Sequence, residues 1–330
     1  MRSLLLRVLL IVWLPLVWTA SAAAADFTLR LSHQLPPAHH VARILDGFAA
    51  DVARETSGRV EVQIFGAEQL FRAGQNHAAV ARGQIEAAVV TNFQWGATIP
   101  EMNVLSLPYF MTDLERLERF PGSPPAHLLE RKLAQKGVRN IAWLYTTRQS
   151  IFTSGRRPLH GLEDFRGIKL RGVSRLIDES LVAVGAAPVT MPGSEVYQAL
   201  QTGVIDAGLT DVAAAYSRRY YEVQKYGTVT PFFAVYFHLF VNPRWWDGLP
   251  VGLRAGIERA AAKAERAVIP ATEQAAAEAI RRLAEQGMVL HVQEADEVRA
   301  WKAAMQPPAM AAFLRLGADA RELVELIDAP

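Results

Sequence analysis

Arg171 closes the run Ile168-Lys169-Leu170-Arg171-Gly172, which reads as a short strand with the arginine at its downstream end. Ligands of open α/β sheets bind at that edge. A guanidinium placed there grips a carboxylate through two parallel hydrogen bonds, a fork that lysine does not reproduce. From spacing alone, a surface ion pair is the commoner use of such an arginine. His33, His39 and His40 lie in and after the Pro36-Pro37 loop, and with an Asp or Glu from elsewhere they have the residue types of a zinc site. Adjacent histidines seldom aim at one ion, so loop polarity or a helix start accounts for them better. Glu163-Asp164 reads as a solvated turn. The chain carries no Gly-x-Ser-x-Gly elbow, Gly-x-Gly-x-x-Gly, phosphate loop or His-Glu-x-x-His. No base stands beside a nucleophile in a known pattern, so neither enzymatic chemistry nor a cofactor is expected.

The elements that must position Arg171 follow from periodicity. Phe27 to Ser32 reads as a strand, and Val41, Ile44, Leu45, Phe48 and Val52 recur at helical spacing up to Gly58. Arg59 to Phe65 alternates as a second strand. A helix over Ala73 to Arg82 closes on Gly83, and Ile85 to Val90 is the continuous apolar run of a strand covered on both faces. Helices are expected over 123–136, 174–184 and 194–202, and strands over 138–145, 168–172 and 204–209. This alternation makes the fold class α/β. Gly83-Gln84-Ile85-Glu86-Ala87 returns 120 positions later as Gly203-Val204-Ile205-Asp206-Ala207, each ending a helix on glycine and opening a covered strand. Two similar lobes would explain the repeat. Leu249 to Gly287 is helix-forming except at Pro270, which should kink or divide it. At 1.5 Å per residue such a helix reaches about 50 Å, enough to bridge two lobes. The tail should add a strand near 288–292 and helices near 295–305 and 308–327, packed on the second lobe.

Composition bounds the rest. The 330 residues correspond to about two domains at roughly 100–200 residues each. With 51% hydrophobic and 21% charged residues, the chain has the balance of a globular protein. Thirty-five Lys and Arg against 33 Asp and Glu leave +2, without the basic excess that tracks a phosphate backbone, so nucleic acid is not an expected partner. The absence of cysteine excludes disulfides, thiol nucleophiles and Cys-ligated metals. Arg2 and Arg7, the apolar run Val8 to Trp18 and the small-residue stretch Ala20 to Ala25 have the order of an export signal, cleaved near Ala23 or Ala25. That apolar run is shorter than the ~20 residues a membrane span needs. The mature chain is expected free in the periplasm.

Three ordered segments carry a family resemblance: Gly167 to Arg171, Gly185-Ala186-Ala187-Pro188-Val189-Thr190-Met191, and Ser194 to Asp206. Together they resemble the signature of periplasmic substrate-binding proteins of tripartite ATP-independent (TRAP) transporters, the DctP type. Leu107-Pro108-Tyr109, Thr147-Arg148-Gln149 and Trp246 before Leu249-Pro250 extend the likeness over the mature chain. The resemblance implies a bilobed periplasmic-binding-protein fold, two α/β lobes joined by hinge strands and a long bridging helix. The division expected is 1–25 as signal peptide, 26–146 plus about 236–270 as lobe I, and 147–235 plus about 271–330 as lobe II.

The implied function is a receptor, not an enzyme, that closes on an organic acid and delivers it to a small and a large membrane subunit. A monomer without cofactor is expected. Arg171 falls on the family's carboxylate-pairing arginine and Arg148 on a second arginine near the ligand. His33, Thr91, Asn92 and Phe93 fall on segments that face the cleft, with Tyr236 near the hinge. Where the family usually continues Gly-x-Glu-Asn after Asp206, this chain reads Ala207-Gly208-Leu209-Thr210-Asp211, so Thr210 takes the place of a ligand-contacting Asn. Asp211 beside it would repel a second carboxylate. With Phe93, Trp95, Tyr216, Tyr236 and Phe237 in cleft-forming segments, a 2-oxo, 2-hydroxy or aromatic monocarboxylate is expected over a C4-dicarboxylate. A dicarboxylate receptor, or a periplasmic sensor or enzyme on the same architecture, stands as the alternative.

Overall fold

The computed structural model describes residues 25–329; the expected export signal falls, but for Ala25, outside the described residues. The chain opens with β1 (Phe27–His33), α1 (His40–Glu55), β2 (Val60–Phe65), α2 (Asn76–Ala81) and β3 (Ala87–Thr91). After α3 (Leu114–Arg119) and α4 (Pro124–Gln135) comes β4 (Arg139–Thr147). The next stretch holds β5 (Ser150–Ser154), β6 (Lys169–Gly172), α5 (Arg175–Ala183), β7 (Ala187–Thr190), α6 (Val196–Gln201), β8 (Ala207–Asp211), α7 (Val212–Ser217) and β9 (Tyr226–Thr230). Then follow β10 (Val235–Val241), α8 (Pro243–Asp247), α9 (Val251–Glu285), β11 (Val289–Val292), α10 (Ala295–Leu314) and α11 (Ala318–Asp328).

These strands form two sheets, ordered β2-β1-β3-β10-β4 and β11-β9-β5-β8-β6-β7. In the first, β1 runs parallel to β2 and β3, while β10 is antiparallel to β3 and β4. In the second, β6 runs parallel to β7 and β8, and β5 lies antiparallel between β8 and β9. The result is a bilobed α/β fold, crossed by the chain between β4 and β5, between β9 and β10, and along α9.

The internal repeat is structural. Gly83 (φ 73°) and Gly203 (φ 72°) end α2 and α6 in the left-handed region that glycine adopts without strain. Each leads into a strand buried at every position, β3 and β8. Strands β5, β9 and β10 were not legible as periodic elements, because a strand buried on both faces shows no alternation; β10 is buried along its whole length.

Helix α9 is one helix of 35 residues, undivided at Pro270. Its first half buries Ile257, Ala260, Ala261, Ala264 and Val268 against the core shared with α1 and β4, and its second half buries Ala276, Ala279 and Leu283 in the second lobe's core. Side-chain bonds tether the helix just beyond the proline: Thr272 Oγ1 donates to the Tyr145 carbonyl (2.9 Å), and Glu273 accepts from the Tyr145 hydroxyl (2.6 Å). Helix α10 likewise runs through Pro307 and Pro308, where two helices were expected. Trp301, Met305, Ala309 and Phe313 form one buried stripe at a spacing of four, and the two prolines lie off it. The tail divides: α10 packs on α5, whereas α11 turns to α4 and residues 100–106 on the first lobe's side. Ion pairs Asp319 to Lys132 (2.5 Å) and Asp328 to Arg116 (3.1 Å) accompany that contact. Among the described residues no helix is long and apolar enough to cross a membrane.

Burial holds His33 and His40 at about 4, His238 at about 3 and His39 well below the ordinary 6.5. As pH falls through 6.5 the unfolded chain binds protons at these four positions and the folded chain does not, so stability is lost towards pH 4. Burial also raises Asp211 to about 6 and Glu265 to about 7; these two favour the folded state in acid, and that contribution fades as pH rises through 6 to 7. Each group is worth up to about 1.4 kcal/mol per pH unit, and four outweigh two. Thermal denaturation should show Tm falling steadily from pH 6.5 to pH 4; a Tm flat or rising over that range contradicts the assignment of neutral buried histidines.

Candidate functional site

The carboxyl ends of β3, β6 and β8 face one another across the two lobes and enclose a cavity of about 30 Å³. The first lobe contributes Gln34, Leu35, His39, Thr91 and Phe93. From the second come Arg171, Gly193, Thr210, Asp211, Ala214 and Arg218, and residues at the crossing add Phe233, Val235 and Phe237. Two direct contacts join the lobes nearby: Ser194 Oγ donates to Glu68 Oε1 (2.9 Å) and Ser174 Oγ to Asn103 Oδ1 (2.6 Å).

Arg171 is only 2% exposed. Strand β6 lies between β7 and β8, and the guanidinium uses both neighbours: Nη1 donates to the Leu209 carbonyl (2.6 Å) on β8 and Nε to the Met191 carbonyl (3.3 Å) just past β7. These are neutral acceptors. No carboxylate pairs with Arg171 among the described residues, and burial pulls its guanidinium below the usual arginine range. A buried cation held in a fixed orientation without an anion is a ready receptor for one.

Further groups converge there without partners. Gln34 Oε1, His39 Nε2, Thr91 Oγ1 and Arg218 Nε are all buried and unbonded within the protein. His39 caps α1, its Nδ1 accepting from the Val41 N–H (3.2 Å). Since burial keeps this ring neutral, its proton belongs on Nε2, leaving a donor to spare beside the cavity. Asp211 is the one carboxylate in the lining. Its Oδ1 accepts from the Ala214 N–H (2.6 Å) at the start of α7, and burial raises it to about 6.

Of the residues expected at the site, Arg171, Thr210, Asp211, Thr91 and Phe93 line this cavity, and Phe237 joins them. The other four lie elsewhere. Arg148 is not in the lining: its Nε and Nη2 bond Glu273 of α9 (2.8 Å at the shortest), a partner 125 residues away that no local pattern reveals. His33 is pinned at the end of β1, its Nδ1 accepting from the Leu35 N–H (3.1 Å). Asn92 turns inward, donating to the Met102 carbonyl and Ser106 Oγ and accepting from the Tyr236 N–H. Tyr236 belongs to the first lobe's core, its hydroxyl donating to the Leu117 carbonyl (2.6 Å). Trp95 packs on Phe240 in that core, and Tyr216 lies beneath Arg282 and is not in the inner cavity's lining. His39 and Arg218 were missed: His39 read as loop polarity or a helix start, and Arg218 was not singled out. Among the described residues no three His, Asp or Glu gather into a metal-holding group.

A larger cavity of about 750 Å³ shares Phe93 with the inner one and is lined by Ser174, Met191, Asn103 and Leu316, among others. It lacks the buried guanidinium and the convergent donors. We therefore place the site at the smaller, inner cavity.

Comparison with known proteins agrees with this architecture. The family model for bacterial extracellular solute-binding protein, family 7 (DctP) matches residues 31–315. The C4-dicarboxylate-binding periplasmic protein DctP of Rhodobacter capsulatus is 28% identical over 309 residues, covering 93% of this chain and 92% of that protein. A TRAP periplasmic solute-binding protein from Desulfovibrio salexigens, solved with bound orotic acid, superposes with a TM-score of 0.86 at 26% identity, covering 91% of this chain and 97% of that one. One from Sulfurospirillum deleyianum, solved with bound succinate, gives a TM-score of 0.86 at 24% identity, covering 92% and 99%.

Asp211 makes the cavity's charge depend on pH. Protonating it leaves Arg171 and Arg218 unopposed, while His39 stays neutral throughout. Affinity for a carboxylate that remains ionised should therefore rise several-fold as pH falls from 8 to 5, with proton uptake on binding. Asp211→Asn, which keeps a capping side chain, should bind more tightly at pH 8 and flatten the profile. Calorimetry across that range checks this; an affinity that falls on acidification overturns it.

Proposed function

Because the chain belongs to bacterial extracellular solute-binding protein family 7, the receptors of TRAP transporters, we propose that it captures an organic monocarboxylate between its lobes and delivers it to the membrane subunits. The observation that carries this reading is Arg171, a buried guanidinium fixed by two backbone carbonyls and paired with no carboxylate among the described residues. An acid supplies the missing charge. Arg171 would take the carboxylate from the second lobe, while His39 Nε2 and Thr91 Oγ1 approach from the first. A ligand held by both lobes binds the closed form best and so shifts the population towards closure. That difference is what membrane subunits can read, and the periplasm is where such a receptor works.

Substrate class follows from the rest of the lining. Leu35, Phe93, Phe233, Val235 and Phe237 are apolar, and the two cavity arginines both come from the second lobe's wall. A C4-dicarboxylate needs cationic or donor groups at both ends. Here the face away from the arginines holds the uncharged polar groups of Gln34, His39 and Thr91 among aromatic and aliphatic side chains and carries no cation. The related Rhodobacter protein bears a C4-dicarboxylate name, and Arg218, a second cation in the cavity, is the feature that favours that class here. The apolar wall weighs against it. We therefore favour a compact monocarboxylate with a 2-oxo or 2-hydroxy oxygen and an apolar or aromatic remainder. The expected domain division, with lobe I to about 146 and again from about 236, places the arginines and the His39 face on opposite moving bodies.

Calorimetry with a panel of 2-oxo, 2-hydroxy, aromatic and C4-dicarboxylic acids tests the class, and two variants test the anchor. Arg171→Ala leaves a ligand charge unpaired in a closed cleft, a loss on the order of 2–5 kcal/mol, so binding should weaken more than tenfold. The unliganded Tm should not fall. Arg148→Ala breaks a half-exposed ion pair and should change affinity by less than about twofold, with at most about 1 kcal/mol of stability lost. Wild-type affinity in Arg171→Ala, or loss of binding in Arg148→Ala alone, overturns the anchor; binding restricted to C4-dicarboxylates overturns the class.

A further inference from the structure

Arg218 stands at the C-terminal cap of α7 and is followed by Arg219, and the two adjacent arginines behave differently. Arg219 adopts φ 61°, is exposed and pairs with Glu222. A cation at a helix C-terminus is favourable in solvent, and Arg219 shows that the local chain can satisfy one there. Arg218 instead turns into the cleft. It forms no ion pair among the described residues, and its Nε is buried without an acceptor. A methyl group placed on Gly193 would sit 3.4 Å from both Cζ and Nη2 of Arg218 and 3.5 Å from Nη2 of Arg171. Two like-charged guanidinium groups therefore converge on one spot beside the cavity, where glycine leaves the approach open. Arg171 has its Nε and Nη1 occupied by carbonyls, which leaves Nη2 towards that spot. Asp211 in the same lining offsets part of the repulsion between the two cations, and an anion, or oxygens of one ligand, placed against both relieves the rest.

Two oxygens on neighbouring carbons fit such a pair of donors better than two carboxylates at opposite ends of a chain. Resting on the organic-acid reading above, we propose that Arg218 is a specificity-determining residue that holds the oxygen on carbon 2 of the bound acid while Arg171 holds its carboxylate. The consequence is selection of 2-oxo and 2-hydroxy acids over acids that lack this oxygen, since removing it leaves the half-buried Arg218, with its buried Nε, unpaired.

The test is calorimetry with matched pairs: pyruvate and propionate, 2-oxoisovalerate and isovalerate, phenylpyruvate and 3-phenylpropionate. Wild-type protein should prefer the oxygen-bearing member of the pair it binds best by about tenfold or more. Arg218→Met, similar in length and uncharged, should cut that preference to about twofold by weakening the oxygen-bearing acid more than the plain one, and Arg218→Lys should fall between them. Unliganded Tm values establish that both variants fold, and Arg218→Lys alone decides should Arg218→Met not fold. Undiminished preference in the folded variants, or equal weakening of both members of a pair, overturns the role of Arg218 and leaves the receptor reading standing. Binding of succinate alone overturns this role and the monocarboxylate class together, whereas binding of malate, which carries a 2-hydroxyl, without succinate overturns the class and supports the role. Wild-type protein that binds no organic acid overturns the receptor reading itself.

Discussion

A buried arginine, paired with no carboxylate among the described residues, is the constraint around which this molecule is built. Removing a guanidinium from water costs several kcal/mol unless its donors are met. The second lobe meets two of them with backbone carbonyls: Leu209 on the neighbouring strand β8 and Met191 just beyond β7. Those neutral acceptors orient Arg171 without cancelling its charge. The strand order β8-β6-β7 is thus part of the site, since it sets Arg171 between two strands whose ends can both be reached.

The remainder of the fold brings a second face to that charge. The repeat that ends β3 at Thr91 and β8 at Asp211 places two strand ends opposite each other, each on a strand buried throughout. Between them, α1 begins at His39, whose capping bond leaves its other nitrogen for the cavity. Helix α9 packs on α1 and β4 with small residues and then on α7 and β11, so one rigid rod touches both lobes. The Arg148, Tyr145 and Glu273 cluster ties that rod to the chain crossing at the end of β4. Arg148 pairs with Glu273 beside the crossing and is not in the inner cavity's lining, and the polar contacts Ser194 to Glu68 and Ser174 to Asn103 join the lobes nearby.

Much of this was legible in the sequence, for physical reasons that also mark where legibility stopped. Arg171 stood out because it closes a strand at the edge where α/β sheets bind ligands and because the family resemblance marks it, although spacing alone favoured a surface ion pair, and the glycine repeat stood out because its conformation demands that residue. Amphipathic α1 and α4 were found close to their true ends by their periodicity. Residues whose roles depend on distant partners were not readable. Arg148 needs Glu273, and Tyr236 needs the Leu117 carbonyl, contacts more than a hundred positions apart. His39 and Arg218 carry everyday signals, a loop histidine and a charge after a short helix, and only the packing turns them inward. The prolines of α9 and α10 predict breaks from local rules, which tertiary contacts along one buried face override.

The carboxylate of the bound acid belongs in the inner cavity between the lobes. A crystal structure of the protein with the 2-oxo acid it binds most tightly should show that carboxylate at hydrogen-bond distance from Arg171 Nη2, with His39 or Thr91 of the other lobe on its far side. Density for the acid in the larger outer cavity, or against Arg148 and away from Arg171, would contradict it.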